Sequence, residues 1–326
     1  MPPRVPPLLA AHLALPAASS LVLLTGVLGA SPNWLVLRHL CALLLAADRD
    51  PAAAAAAADD EGDDDHDDAA AAAVLLVSFL RDFAFWRDGL GRLGVDLDAA
   101  ARRGRVAYVD GLPAGGLFSP TAAATPAAAP AAAPSQQGWR RTVGALAGPG
   151  DLRDAVLAAV ERLQNPPPPP PRPAGDDGGG GGGGAGRRKR RKVVLVIDGL
   201  DFVLAAMDPT PRPGGPPDAA WTAMGVKEVL TELREATHAA IVTLAADDPL
   251  IKEQETTLEK QHAWFALSLA HEADTIFSLR QLDTGAARDV SGVIRITNRR
   301  APAQSHEYLY HVGGDGGVRV FERGQS

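Results

Sequence analysis

The chain holds a single cysteine, Cys41, among 326 residues. That excludes an intramolecular disulfide and CxxC redox chemistry, and it fits a reducing compartment. Cys41 lies in the apolar stretch "LRHLCALLLAA", where it reads as a small core residue and not as a reactive thiol. No run reaches the ~18–20 uninterrupted apolar residues of a membrane-spanning helix. The apolar N-terminal stretch is broken by Pro16 and leads into a strand-and-turn pattern, so it is not expected to be a signal peptide. Asn33, Asn165 and Asn298 all lack Ser or Thr two residues on, so no glycosylation sequon points to secretion. A cytoplasmic protein is expected. Net positive charge is also missing. The formal charge is −7, and the acidic run 59–68 (−8) and the basic run Arg187–Lys192 (+6) leave −5 on the rest. No overall basic field advertises nucleic-acid binding.

What is present falls into two kinds of segment. Residues 48–73, 113–137, 165–192 and 208–220 are low-complexity or Pro/Gly-rich, and they read as surface insertions within a single domain, 1–326. Between them stand short apolar runs at 21–25, 74–79, 105–109, 193–197 and 240–244, each fit for a central strand buried on both faces. Helical patterns alternate with these runs. Residues 82–92 put Phe83, Trp86 and Leu90 on one face. Residues 151–163 start at Asp151, a candidate N-cap. Further helices are expected at 34–47, at 226–236 and at 257–270, the last with a stripe of Leu258, Trp264, Phe265 and Leu269. Strand–helix alternation predicts an α/β fold with a mostly parallel sheet flanked by helices. The tail is different: 274–280, 290–297, 307–312 and 318–322 are β-rich, and "GGDGG" at 313–317 supplies a hairpin turn, so a C-terminal antiparallel β extension is expected.

The first strand ends in Thr25-Gly26, where a phosphate-binding loop would begin. Set on Gly26, the template G-x-x-x-x-G-K-[ST] meets Ser31, Pro32 and Asn33 at its last three positions. Pro32 removes the lysine charge and a backbone donor, and Asn33 is a poor magnesium ligand. The place fits a nucleotide site but the chemistry does not. Downstream, "VVLVIDGLDFVL" ends an apolar strand in Asp198, the position of a Walker B aspartate. Without the lysine and hydroxyl it has no metal to order, so Asp198 is read as a strand-end residue capping the turn at Gly199, and Asp201 as solvated or capping. Other catalytic patterns fail. "GASPN" at 29–33 lacks the closing glycine of a nucleophile elbow, and "HEADT" at 271–275 has Thr275 where a zinc site needs histidine. A dinucleotide-binding G-x-G-x-x-G turn is not met by Gly26 and Gly29. No cofactor and no metal is expected. An active ATPase with a degenerate loop and a Rossmann-type enzyme stay as alternative readings. The basic run Arg187–Lys192 could serve nuclear import or RNA-backbone contact, or be only a solubilising cluster.

"TGVLGASPNWLVLR", "SFLRDFAFW", "RVAYVDGL" and "VVLVIDGLDFVLA" follow one another in this order. Together they resemble subunit six of the Elongator complex, in a version with enlarged loops. The resemblance implies a RecA-like fold without working Walker motifs, a non-catalytic chain, and a hetero-hexameric ring shared with subunits four and five. That ring joins the catalytic Elongator subcomplex and binds tRNA whose wobble uridine the assembly modifies. It also implies that loops near 200–222 and 246–258 approach the ring's opening, making Arg212, Lys252 and Arg288 candidate tRNA contacts. The clustered aromatics Phe79, Phe83, Phe85 and Trp86 are candidates for the subunit interface, weighed against a place in the core.

Overall fold

The computed structural model describes residues 5–46, 72–111, 139–142, 148–165, 190–206, 221–282, 287, 289–299 and 305–323. Most of the insertions expected at 48–73, 113–137, 165–192 and 208–220, together with Arg212 and Arg288, lie outside the described residues. The exceptions are informative. Ala72 and Ala73 are buried, and Ala73 already belongs to a strand. The last residues of the basic run are also tied down: Arg191 donates to the carbonyl of Gly104, and the Lys192 carbonyl accepts from Ala73 N at 2.8 Å.

Among the described residues ten strands form one sheet: β1 (Ser20–Gly26), β2 (Ala73–Ser78), β3 (Val106–Asp110), β4 (Arg140–Thr142), β5 (Val193–Asp198), β6 (Ala239–Ala245), β7 (Thr275–Arg280), β8 (Gly292–Asn298), β9 (His306–Val312) and β10 (Val318–Phe321). Their order is β10-β9-β8-β7-β1-β6-β5-β2-β3-β4. All pairings from β7 through β1 to β4 are parallel, and β7 to β10 are antiparallel. The expected α/β sheet with its antiparallel extension is therefore observed.

The helices are α1 (Asn33–Ala46), α2 (Phe83–Arg92), α3 (Leu97–Arg102), α4 (Pro149–Gln164), α5 (Phe202–Ala206), α6 (Ala223–Ala236) and α7 (Thr257–Glu272). A 3-10 turn, Pro7–His12, precedes β1, and a π-helical turn, Pro249–Glu253, follows β6. Period-two alternation along the strands sorts the core into two layers. Val22, Leu24, Val74, Leu76, Val194, Val196 and Ile241 face α1, α2 and α3. Leu21, Leu23, Leu75, Val77, Leu195, Ile197 and Val242 face α4, α5, α6 and α7. Continuous apolar runs on both faces are what a parallel strand covered by helices requires.

Local details differ from expectation. Asp151 is not the N-cap of α4. Gly148 is, and the Asp151 carboxylate three residues on accepts from the Gly148 N–H at 3.2 Å. Pro149 at the first helical position brings the start forward, because its missing N–H is not needed there. On α7, Phe265 and Leu269 are buried, whereas Leu258 and Trp264 are 38% and 39% exposed, so the expected stripe is narrower. Its charged neighbours explain where Trp264 goes: the Lys227 ammonium stands over its ring, 5.4 Å from the centroid. Among the described residues no helix is long and apolar enough to cross a membrane.

Candidate functional site

Parallel sheets gather ligand-binding loops beyond the carboxyl ends of their strands, where the connections change direction. Here β1, β6, β5 and β2 end side by side at Gly26, Ala245, Asp198 and Ser78. The turn from β1 to α1 therefore sits where a phosphate cradle would.

That turn is folded onto itself. Val27 and Ala30 form a bridge, with Ala30 N donating to Val27 O at 2.8 Å. Pro32 lies directly over Gly26: a Cβ at Gly26 would stand 2.7 Å from Pro32 Cδ and 2.8 Å from Ala30 O. Gly29 has φ +84°, the left-handed region, and the Gln281 amide fills the space where its side chain would be. Three donors at the start of α1 are also taken: Leu35 N and Val36 N give to Pro32 O at 2.9 and 3.0 Å, and Asn33 N gives to Ser31 Oγ at 3.3 Å.

Two neighbours then pin the tip. Leu28 N donates to Asp247 Oδ1 at 2.7 Å, and Gln281 Nε2 donates to Leu28 O at 2.9 Å. Both polar groups of Leu28 are thus satisfied while its side chain stands 86% exposed. The charged group meeting this turn is a carboxylate, which opposes a phosphate instead of attracting it.

Asp198 is buried at 1% exposure. Its Oδ2 accepts from Ser78 Oγ at 2.9 Å and its Oδ1 from Thr243 Oγ1 at 3.3 Å. Burial raises its pKa above the ordinary carboxylate value, opposed by those hydroxyls and by the charge of Arg81. The expected capping role is corrected in one respect: Gly199 N donates at 2.7 Å to Thr243 Oγ1, so the threonine, and not the aspartate, holds that turn. Both carboxylate oxygens are engaged in tying β5 to β2 and β6.

Asp201 is not solvated. Its Oδ2 accepts from Ala245 N at 3.0 Å, and the Ala245 carbonyl lies 2.9 Å from Nε2 of the buried His262. That contact makes Nε2 the protonated nitrogen, since a carbonyl can only accept. The end of β6 is clamped from both sides, and burial raises the Asp201 pKa against the pull of the Ala245 amide and His262.

The remaining candidates are dispersed. Lys252 lies on the π-helical turn, exposed, with Nζ 2.7 Å from Asp248 Oδ2. Phe79, Phe83 and Trp86 are buried in the core at 1%, 4% and 0%, which corrects their assignment to an interface. Burial was the competing reading, and it holds for these three; of the four, Phe85 alone is half-exposed, with the Arg81 guanidinium 5.4 Å from its ring centroid. In "HEADT", Glu272 is held by Lys227 at 2.7 Å and Arg234 at 2.9 Å. Among the described residues no group of three His, Cys, Asp or Glu side chains could hold a metal ion.

Sequence reasoning missed Ser78, Thr243, Asp247, Gln281 and His262. Thr243 carried a signal, a hydroxyl inside the apolar run "AIVTLA". Asp247 and Gln281 gave none, because each reaches the β1–α1 turn from a distant part of the chain.

No protein-family model matches this chain, and no curated protein matches it either. Among solved structures it is similar to an uncharacterised protein of Pyrococcus horikoshii in complex with an unknown peptide, at 12% identity and TM-score 0.51, covering 99% of this chain and 100% of that one. It is also similar to a KaiC-like protein of Pyrococcus horikoshii OT3 at 12% identity and TM-score 0.48, covering 98% of each chain. At this identity the likeness concerns the fold alone. The fold is RecA-like, with β1 and β5 on either side of β6 at its centre.

Proposed function

We propose that the chain is a non-catalytic, RecA-like subunit of the Elongator complex, the sixth, and that it builds a hetero-hexameric ring with subunits four and five. The ring joins the catalytic subcomplex and holds tRNA for modification at the wobble uridine. The chain works in the cytoplasm, with entry to the nucleus open to it through the basic run. The observation that carries the reading is the β1–α1 turn: it stands at the phosphate position of a RecA-like fold, yet the amides of Leu28, Ala30 and Asn33 are spent on Asp247 Oδ1, Val27 O and Ser31 Oγ. A turn so fixed cannot open around phosphate without losing several hydrogen bonds, at about 1 kcal/mol each.

The same turn suits docking. Leu28 is displayed on a rigid backbone, and a pre-ordered apolar knob needs little further ordering when it enters a neighbour's pocket. Heterologous contacts of this kind close into rings when the rotation allows. The body's net negative charge argues against tRNA binding by this chain alone, so the proposal assigns that binding to cations the assembled ring brings together.

The test is ATP hydrolysis and tRNA binding, measured on the chain alone and on the chain co-expressed with subunits four and five. The isolated chain is expected to show neither activity and the co-expressed set to bind tRNA. ATP hydrolysis by the isolated chain, or a co-expressed set that ignores tRNA, overturns the proposal.

A further inference from the structure

A groove of about 400 Å³ runs between α1, α2, the β1–α1 turn (Gly29, Ser31, Asn33) and the end of the β9–β10 hairpin. That volume lies within the range of small-molecule sites. Its walls are largely apolar and aromatic. Trp34 and Tyr310 stand with ring centroids 5.0 Å apart, and Leu37 and Phe85 extend the wall.

Charge distinguishes this groove from the rest of the body. It is lined by two arginines, Arg38 and Arg92, and by no aspartate or glutamate among the described residues; Asp315, next to the lining residue Gly316, is near enough for its charge to act on Arg38, which leaves the pair of arginines one positive charge in excess. Arg38 is 3% exposed. Its Nη2 donates to Gly316 O at 2.9 Å, while its enclosed Nε has no hydrogen-bond partner among the described residues. A buried guanidinium with an idle donor is unfavourable unless something accepts from it. Arg92 is exposed, and its Cδ would stand 3.9 Å from a Cβ on Gly316, the residue whose carbonyl Arg38 meets.

We propose that this groove is a binding site for a small aromatic carboxylate, whose ring lies along Trp34, Tyr310 and Phe85 and whose carboxylate meets Arg38 and Arg92. Guanidinium and carboxylate match as planar forks, and a single negative charge suits a site with one buried and one exposed cation. The aromatic body is called for by the apolar wall of Trp34, Leu37, Phe85 and Tyr310, which one charged group alone would leave wet. The site is built from this chain's own residues and does not require subunits four or five.

The probes are 2-naphthoate and its neutral counterpart 2-naphthamide, titrated calorimetrically into the full chain. Naphthoate is expected to saturate at one per chain, and naphthamide to bind at least about tenfold more weakly. Arg92→Glu, at an exposed position, is expected to weaken naphthoate at least about fivefold and to leave naphthamide unchanged. Arg38→Met is expected to abolish the preference for the anion; should that variant not fold, Arg92→Glu and the two probes decide. No saturable naphthoate binding, equal affinities for the two probes, or an Arg92→Glu chain that binds naphthoate as before overturns the assignment.

Discussion

The Asp247 carboxylate accepts the backbone N–H of Leu28 at 2.7 Å, so an acidic group of the chain's own stands against the turn that a phosphate would have to enter. Restoring the missing side chains should therefore not restore the site. The double variant Pro32→Lys, Asn33→Thr is expected to show no shift of its thermal midpoint with MgATP. Saturating ligand at a hundred times Kd would add about 2.7 kcal/mol, a shift easily seen. Such a shift would mean that only the side chains were lost and that the turn can still open.

Gly26 bears the weight of Pro32. Gly26→Ala places a methyl 2.7 Å from Pro32 Cδ and 2.8 Å from a backbone carbonyl, and neither can swing aside as a flexible side chain would. A loss of about 1–3 kcal/mol is expected from chemical denaturation. A neutral result would show that the turn is slack, against the closed geometry.

Asp198 ties three strands together, and its pKa is raised by burial. Between the ordinary carboxylate value and the raised one, the folded state binds more protons than the unfolded state. Stability from this group is therefore complete below the unfolded pKa and is lost as pH rises through the folded pKa. Asp198→Asn removes the titration. The variant is expected to hold at least wild-type stability at pH 7 and to flatten the fall above the carboxylate range, read from denaturation midpoints across pH.

His39 works in the opposite direction. It is wholly buried edge-on to Phe277, with neither ring nitrogen partnered among the described residues, and burial, helped by His12, pulls its pKa down to about 3. Its neutral form favours folding above the unfolded value of 6.5, and that advantage drains away as pH falls toward 3, by up to about 1.4 kcal/mol per pH unit. His39→Leu is expected to raise stability at pH 7 by about 1–2 kcal/mol, since two stranded polar atoms leave the core. Acid denaturation of the variant should begin at lower pH. An unchanged acid limb would show that His39 is not a source of acid sensitivity.

The sheet was legible because its strands advertise burial on both faces: runs such as "VVLVI" leave little alternative to a covered parallel sheet. The short pieces were not. Leu97–Arg102 and Phe202–Ala206 hold too few residues to show a period, and Arg140–Thr142 is a polar edge strand. At the site, the sequence shows that Pro32 and Asn33 stand where a phosphate-binding loop has its lysine and its magnesium-binding hydroxyl. It could not reveal that the turn had closed, because the groups that close it, Asp247 and Gln281, are brought there by the sheet. The reading of Asp198 as a cap failed for a related reason: Thr243, its partner in the adjacent strand, is 45 positions away.

The most direct test of the scaffold role is native mass spectrometry of this chain co-expressed with subunits four and five from its own source. The expected result is a discrete assembly holding two copies of each of the three subunits. A clean monomer that leaves both partners behind would contradict the account.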